Sequence, residues 1–282
     1  MAVSIAHLGP SGTNAETAAL QYAEWLTTQT QQEYTLCHYP SNAQTLQAVA
    51  QGQVDLAVVP VENSIEGSVT MTLDTFWRLD GLQIQSALEL RIVHAFLSYA
   101  PTVATIQTVY SHPQALSQCQ EWLETNLPEA HRVPMQSTTE ALRHLAEDPA
   151  IAAISTLRAA ELYQVPILAC PINDHPENCT RFWVVNMQPS TGGSYTSIAF
   201  AVHDVPGALV KPLQIFADRH INMSRIESRP TKRLLGDYLF FVDLEADIRD
   251  DRFQEALAEL VQATETLKVL GSYDILPIQP TL

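Results

Sequence analysis

The chain has 282 residues, 46% of them hydrophobic and 16% charged, and carries a formal net charge of −16. That length fits two domains rather than one, and the composition is that of a soluble protein able to bury sizeable cores. The acidic balance repels phosphate backbones and argues against nucleic acid as a partner; no apolar run reaches the length of a membrane span, and MAVSIAHLGP lacks the basic start and cleavage site of a leader, so no membrane association and a cytoplasmic location are expected.

Cys37, Cys119, Cys170 and Cys179 show no C-x-x-C spacing, which favours free thiols over disulfides or zinc. Residues 2–8 read as a first strand that ends in Gly9-Pro10-Ser11-Gly12-Thr13. Thr13 with Glu16 forms a capping box, and Ala15, Ala19, Tyr22 and Leu26 follow at helical spacing. A strand at Tyr34–Tyr39 precedes a second capping box, Ser41 with Gln44, whose helix Gly52 closes. Val54–Val61 is a continuous apolar run with one Asp, as a buried parallel strand requires. This order is doubly wound α/β, in which ligands sit beyond the carboxyl ends of strands; Gly9–Thr13 and Glu62–Gly67 lie at such ends.

A helix is expected over Gly67–Leu79, with Val69, Leu73, Phe76 and Trp77 inward, and an extended crossover over 82–98. Thr108–Tyr110 ends a strand, and Pro113 in the first turn opens a helix where its missing N–H costs nothing. Ser137 with Glu140 caps another helix, Ala150–Ile154 is a strand, Thr156–Tyr163 a helix and Val165–Pro171 a strand, giving two similar lobes with a return near 172–182. QPSTGGS, 188–194, reads as a linker. Beyond it come Thr196–Val202, a helix Ala208–Arg219, strands Met223–Arg229 and Tyr238–Glu245, a helix Asp251–Ala263 and a strand Val269–Tyr273, the ferredoxin-like β-α-β-β-α-β order of a separate small domain.

Four polar stretches carry the chemistry. Gly9–Thr13 suits an anion held by backbone N–H groups, or is simply a tight turn; it lacks the third Gly of a dinucleotide fingerprint and the Lys of a P-loop. Glu62-Asn63-Ser64 sets an acid, an amide and a hydroxyl in one turn, more than a helix cap needs. Ser111-His112-Pro113-Gln114 precedes Gln118, which shares a helix face with Gln114; nothing nearby has zinc-ligand spacing. Asn178-Cys179-Thr180-Arg181-Phe182 sets a hydroxyl beside a guanidinium before an apolar strand, Phe182–Val185. Arg181 either pairs with a surface acid or supplies the fork of donors a carboxylate fits, with Thr180 beside it as a donor to a leaving oxygen. On so acidic a chain an anionic ligand needs local positive charge, from Arg181 and helix N-termini.

GPSGT, PVENSIEGSV, SHPQALSQC and NCTRF, in that order and spacing, resemble the prephenate dehydratase family, and PGAL at 206–209 with IESRP at 226–230 resemble its C-terminal ACT domain. The resemblance covers essentially the whole chain. It implies an α/β fold: a two-lobed, periplasmic-binding-protein-like (type II) catalytic domain over 1–188 (lobe one about 1–80 and 172–188, lobe two about 81–171), a linker at 189–195, and a ferredoxin-like βαββαβ ACT domain over 196–282. The implied reaction is loss of water and carbon dioxide from prephenate to give phenylpyruvate, in L-phenylalanine biosynthesis, with no cofactor and no metal. Thr180, Arg181 and Phe182 are the implied catalytic group, with Thr13, Asn63, Ser64, Ser111 and Gln118 binding substrate. L-Phenylalanine is the implied allosteric inhibitor, bound by Gly207, Ala208 and Leu209 with Glu227, Ser228, Arg229 and Pro230 at an interface of a homodimer or homotetramer. Asn14 and Ala15 depart from the family pattern, which has an aromatic and a small hydroxyl residue there, and Met223 replaces the usual Leu. Arogenate dehydratase is the near rival; a non-catalytic amino-acid sensor is another, disfavoured by the intact Thr180–Phe182 stretch. No DNA-binding module is expected, nor room for a chorismate mutase domain.

Overall fold

The computed structural model describes residues 2–146 and 148–277; the last five residues of the expected ACT domain lie outside that range. In lobe one, strand β1 (Val3–Leu8) pairs in parallel with both β2 (Tyr34–Tyr39) and β3 (Leu56–Asn63). Helices α1 (Asn14–Thr30) and α2 (Asn42–Ala50) start where the hydroxyls of Thr13 and Ser41 accept the N–H of Glu16 and Gln44. They cover opposite faces: α1 packs Ala15, Ala19 and Tyr22 on Ile5 and Val58, while α2 packs Leu46 and Val49 on Ala57 and Val59. Strand β4 (Gly67–Ser68) folds back on β3, so helix α3 (Thr70–Arg78) begins later than its apolar pattern suggests. Strand β5 (Gln83–Arg91) follows.

The chain then enters lobe two through residues 92–94. Strands β6 (Ala95–Leu97), β7 (Thr108–Ser111), β8 (His131–Pro134), β9 (Ile151–Ser155) and β10 (Ile167–Ala169) form a second sheet in the order β10-β6-β9-β7-β8. Helices α4 (Pro113–Ser117) and α5 (Gln120–Asn126) follow β7, and α6 (Leu157–Tyr163) follows β9. The helix expected from Ser137 is a short 3-10 stretch, Glu140–His144, although Ser137 Oγ still accepts the Glu140 N–H at 3.0 Å. The chain returns through residues 172–178 into β11 (Cys179–Asn186), which lies between β3 and β5, antiparallel to both. Two lobes joined by two crossings are the expected arrangement.

The C-terminal unit, β12 (Tyr195–Ala201), α7 (Val210–Asp218), β13 (Met223–Pro230), β14 (Tyr238–Leu244), α8 (Asp251–Ala263) and β15 (Thr266–Leu276), has the ferredoxin-like order. One sheet face packs Ile198, Phe200, Val242 and Leu244 on Phe216, Phe253 and Leu260 of its two helices. The other face is where the structure departs from a tethered, separate domain. Ala199, Phe241, Leu270 and Tyr273 join the lobe-one core with Phe76, Trp183 and Val185. Strand β15 runs past Tyr273, and Asp274–Leu276 pair in parallel with Ser86–Leu88 of β5, merging both units into one ten-stranded sheet. The glycines make this possible: a Cβ on Gly193 would meet the Tyr273 carbonyl carbon at 2.1 Å, and one on Gly271 the Ile84 carbonyl oxygen at 2.5 Å. The QPSTGGS segment is thus packed at Gly193, because close backbone approach, not looseness, is what that glycine supplies.

Between the units Arg225 and Asp243 form a buried pair, Nε to Oδ2 at 2.7 Å and Nη2 to Oδ1 at 3.3 Å. Ser197 Oγ donates to Asp243 at 2.5 Å, and the Arg225 guanidinium lies 5.5 Å from the Trp183 ring centroid. Removing one partner of such a pair strands the other charge. Asp243→Ala therefore destabilises the protein by about 3–5 kcal/mol, read from the urea midpoint; a change below about 1 kcal/mol would show the pair is not held dry.

Candidate active site

A cavity of about 820 Å³ lies between the lobes. The first loop supplies Gly9, Pro10 and Thr13, β3 supplies Pro60 and Asn63, β11 supplies Thr180 and Phe182, and lobe two supplies His112, Gln114, Gln118 and the 136–140 segment. The lobes touch at the cavity edge: Thr156 Oγ1 donates to the Gly12 carbonyl at 2.6 Å. Gly12 has φ +86, and a Cβ there would come within 3.0 Å of Thr139 Cγ2, so glycine serves both the turn and the contact.

Strand alternation places the β11 residues. Thr180 lies opposite Asn63 on β3, and both face the cavity; Arg181 lies opposite Glu62 on β3 and Glu89 on β5, on the far face. Its Nη2 donates to Glu89 Oε1 at 2.8 Å, and its Nη1 stands 4.0 Å from both Glu62 Oε2 and Asp243 Oδ2. The expected role of Arg181 as a carboxylate anchor in the cleft is corrected: the register shift against β3 falls only after Arg181, so as the next residue along an extended strand it takes the face opposite Thr180, where it pairs with an acid. Burial alone would weaken its charge, but Glu89 and the other acids more than offset that, and its pKa lies above the usual arginine value.

Two other expected substrate contacts are spent on structure. Ser64 is exposed; its Oγ accepts the Cys179 N–H at 3.0 Å, clamping the turn to β11, and it is not part of the cavity wall. Ser111 is fully buried and donates to the Ile154 carbonyl at 2.7 Å, a link from β7 to β9. Thr13 lines the cavity while capping α1. Phe182 lines it and joins the core beneath α1.

The hydroxyl of Thr180 has a determined hydrogen-bond role. Asn63 Oδ1 accepts the N–H groups of Ile65 and Glu66, both at 3.0 Å, which fixes the amide orientation. Asn63 Nδ2 then donates to Thr180 Oγ1 at 2.9 Å and to Asn178 Oδ1 at 2.7 Å. Since Thr180 Oγ1 accepts there, its own proton is left to donate elsewhere. Gln118 joins the same chain from lobe two: its Oε1 accepts from Asn178 Nδ2 at 2.9 Å, and its Nε2 donates to Glu66 at 3.3 Å.

Sequence reasoning passed over Asn178, His94 and Arg143. Asn178 opened the stretch singled out above but carried no spacing signal of its own, and His94 sits in an apolar segment with none. Arg143 belongs to the cavity wall, as do Asn14 and Ala15 in the first turn of α1. Arg143 and the first-turn N–H groups of α1 supply positive potential to the cavity, opposed by Glu140, which also lines it.

A two-lobed α/β cleft enzyme with a ferredoxin-like domain built onto its rear face is the class these features define. A family model described as prephenate dehydratase matches residues 5–190, and an ACT-domain model matches 196–262. The chain belongs to the prephenate dehydratase family, and its activity is that of a prephenate dehydratase. It is 40% identical over 274 residues to the bifunctional chorismate mutase/prephenate dehydratase of Aquifex aeolicus, covering 96% of this chain and 73% of that protein. It is 37% identical to the prephenate dehydratase of Mycolicibacterium smegmatis, covering 95% and 89%. The crystal structure of the Arthrobacter aurescens prephenate dehydratase in complex with L-Phe superposes with a TM-score of 0.88 at 34% identity, over 99% of this chain and 92% of that one.

Burial holds His94 and His7 below the ordinary imidazole pKa. The unfolded chain takes up protons near pH ~6.5, while the folded chain resists them. Stability from the neutral rings is therefore full above that pH and declines as pH falls below it. Tm is expected to drop between pH 7.5 and 5.5, and the drop to be smaller in His94→Gln; equal slopes would show that His94 is not kept neutral.

Proposed function

We propose that the cavity converts prephenate to phenylpyruvate by holding the dianion and donating one oriented hydrogen bond, from Thr180, to the departing hydroxyl. Prephenate carries two carboxylates, and its ring becomes aromatic when the ring carboxylate leaves as carbon dioxide, its bonding pair enters the ring and expels the hydroxyl, and that hydroxyl takes one proton from solvent to leave as water. The driving force resides in the substrate, so no strong acid or nucleophile is required. The observation that carries this reading is the Asn63 Nδ2 donation to Thr180 Oγ1, which leaves the Thr180 proton available to the cavity. An alcohol is far too weak an acid to give up that proton outright, so Thr180 acts as a hydrogen-bond donor whose interaction strengthens as charge builds on the leaving oxygen. The side-chain carboxylate meets Arg143 and the first-turn N–H groups of α1. Gln114 and His112 orient the ring from lobe two. Arg181 supports β11 from behind.

The ACT domain and the L-Phe complex of the Arthrobacter aurescens relative support L-phenylalanine as the effector. Within one chain the residues carried over for it divide between two faces. Glu227 and Arg229 face lobe one, where Glu227 Oε2 accepts from Ser68 Oγ at 3.2 Å and Arg229 pairs with Asp74 at 3.1 Å. Ser228, on the opposite face of β13, is exposed, as is Gly207. A complete effector site therefore draws on a second chain. The free edge of β13 and the exposed Val205, Val210 and Ile226 support pairing of two ACT domains.

Thr180→Ala is expected to lower kcat by about 10²–10³-fold with KM little changed; kcat within a few-fold of the parent would remove Thr180 from the chemistry. Calorimetry with phenylalanine in the presence and absence of a substrate analogue should show each ligand weakening the other by the same factor, since coupling is reciprocal. Independent affinities would overturn the regulatory reading.

A further inference from the structure

Both crossings between the lobes carry a buried polar side chain that the reaction scheme above does not use. His94 lies on the first, where its backbone N–H donates to Asn173 Oδ1 at 2.7 Å. Asn178 lies on the second and is fully buried. Its backbone is held independently of its side chain: its N–H donates to the His175 carbonyl at 3.2 Å, and its carbonyl accepts the Ile92 N–H at 2.8 Å.

The side chains form one directed chain. Gln118 Oε1 has no proton to give and already accepts from Asn178 Nδ2. His94 Nε2, 3.0 Å from the same oxygen, must therefore be the protonated ring nitrogen. This leaves Nδ1 bare, and it meets no partner among the described residues. Two donors thus pin Gln118 Oε1. They fix the Asn178 amide with its Oδ1 toward Asn63, which takes one Asn63 proton and leaves the other for Thr180, the Cys179 carbonyl being a longer third contact of the same nitrogen at 3.3 Å. If the Asn178 amide turned over, two N–H groups would face one another at Asn63, whose own amide is fixed by the Ile65 and Glu66 N–H groups and cannot turn to relieve them, and the repulsion would push Asn63 Nδ2 off its line to Thr180.

We propose that Asn178 and His94 are positioning residues, which through Gln118 and Asn63 set the Thr180 hydroxyl so that its proton points to the substrate. The proposal rests on the reading of Thr180 as the donor. Neither residue touches the reacting atoms in this scheme. His94 acts by a neutral N–H and Asn178 by presenting an acceptor to one lobe and a donor to the other. The chain runs through both crossings, so it is complete only when the lobes stand as they do here.

The test is a double-mutant cycle on prephenate turnover with four enzymes: parent, Thr180→Val, Asn178→Ala, and the two combined. Asn178→Ala is expected to lower kcat by about 10–100-fold, the range open to coupled hydrogen-bonded groups, with KM within about threefold. In the Thr180→Val background the same substitution should cost less than about threefold, because there is no hydroxyl left to aim. A full, multiplicative loss in that background would overturn the proposal and assign Asn178 a merely structural role. An unchanged kcat in Thr180→Val alone is a different result: it removes the donor reading on which the proposal stands. Where Asn178→Ala does not fold, a His94 pair decides. His94→Leu removes the N–H and should lower kcat about tenfold or more, whereas His94→Gln restores a donor at the same reach and should recover most of that loss. Equal kcat in the two His94 variants, with Thr180→Val impaired, would overturn the assignment of His94.

Discussion

Strand β11 is hydrogen-bonded along both edges, to β3 and to β5, and that double pairing decides what its side chains can do. A strand held on both sides cannot twist a residue from one face to the other, and neighbours must diverge. Asn178, Thr180 and Phe182 take one side, toward the gap between the lobes. Arg181 takes the other, among Glu89, Glu62 and Asp243. A hydroxyl and a guanidinium that adjoin in sequence therefore serve different purposes: one faces the cavity between the lobes, the other fastens the strand to what lies behind it.

The distribution of cations follows from this. The chain has 15 Lys and Arg against 31 Asp and Glu, and several of the basic residues are engaged where the ACT domain meets lobe one. Arg225 neutralises Asp243, Arg229 and Lys232 share Asp74, and Lys268 reaches Asp80. The exposed members of this set contribute little individually. The buried Arg225–Asp243 pair does not guarantee net stability, because taking two charges out of water costs about as much as their attraction returns. What it does impose is registry: Arg225 must sit over Trp183 with Asp243 below Ser197, and an apolar interface would not demand that alignment. The cavity wall keeps Arg143 and the first turn of α1.

The merged sheet gives the ACT domain contact with both strands that carry the cleft's polar groups. Asp243 of β14 stands beside Arg181 on β11, and Glu227 of β13 meets Ser68 on β4, which pairs with the Glu62–Asn63 end of β3. A single hydrophobic core runs from Phe76 and Trp183 to Phe241 and Tyr273. The Tyr273 phenol, pushed to a higher pKa by burial and by Asp243, stays neutral and shares a hydrogen bond with Ser197. The regulatory unit is thus a layer of the enzyme rather than an appendage, and its attachment passes directly beneath β11.

The sequence by itself determined the elements and their order. Caps at Thr13 and Ser41, the apolar run before Asn63 and the β-α-β-β-α-β order after Tyr195 are local signals, written in residues a few positions apart. The four polar stretches were legible for the same reason, and Asn63, Gln118 and Thr180 do converge on the cavity. Tertiary structure alone decided which face each residue takes and what meets it there. Ser64 and Ser111 looked like ligand groups until the backbone atoms of Cys179 and Ile154 claimed them. Asn178 and His94, 84 positions apart, carry no pattern that links them, because the link is one Gln118 oxygen shared in three dimensions. A glycine-rich stretch reads as slack in one dimension, but Gly193 lies against Tyr273, and only the packed chain shows that the missing side chain is there to let two backbones touch.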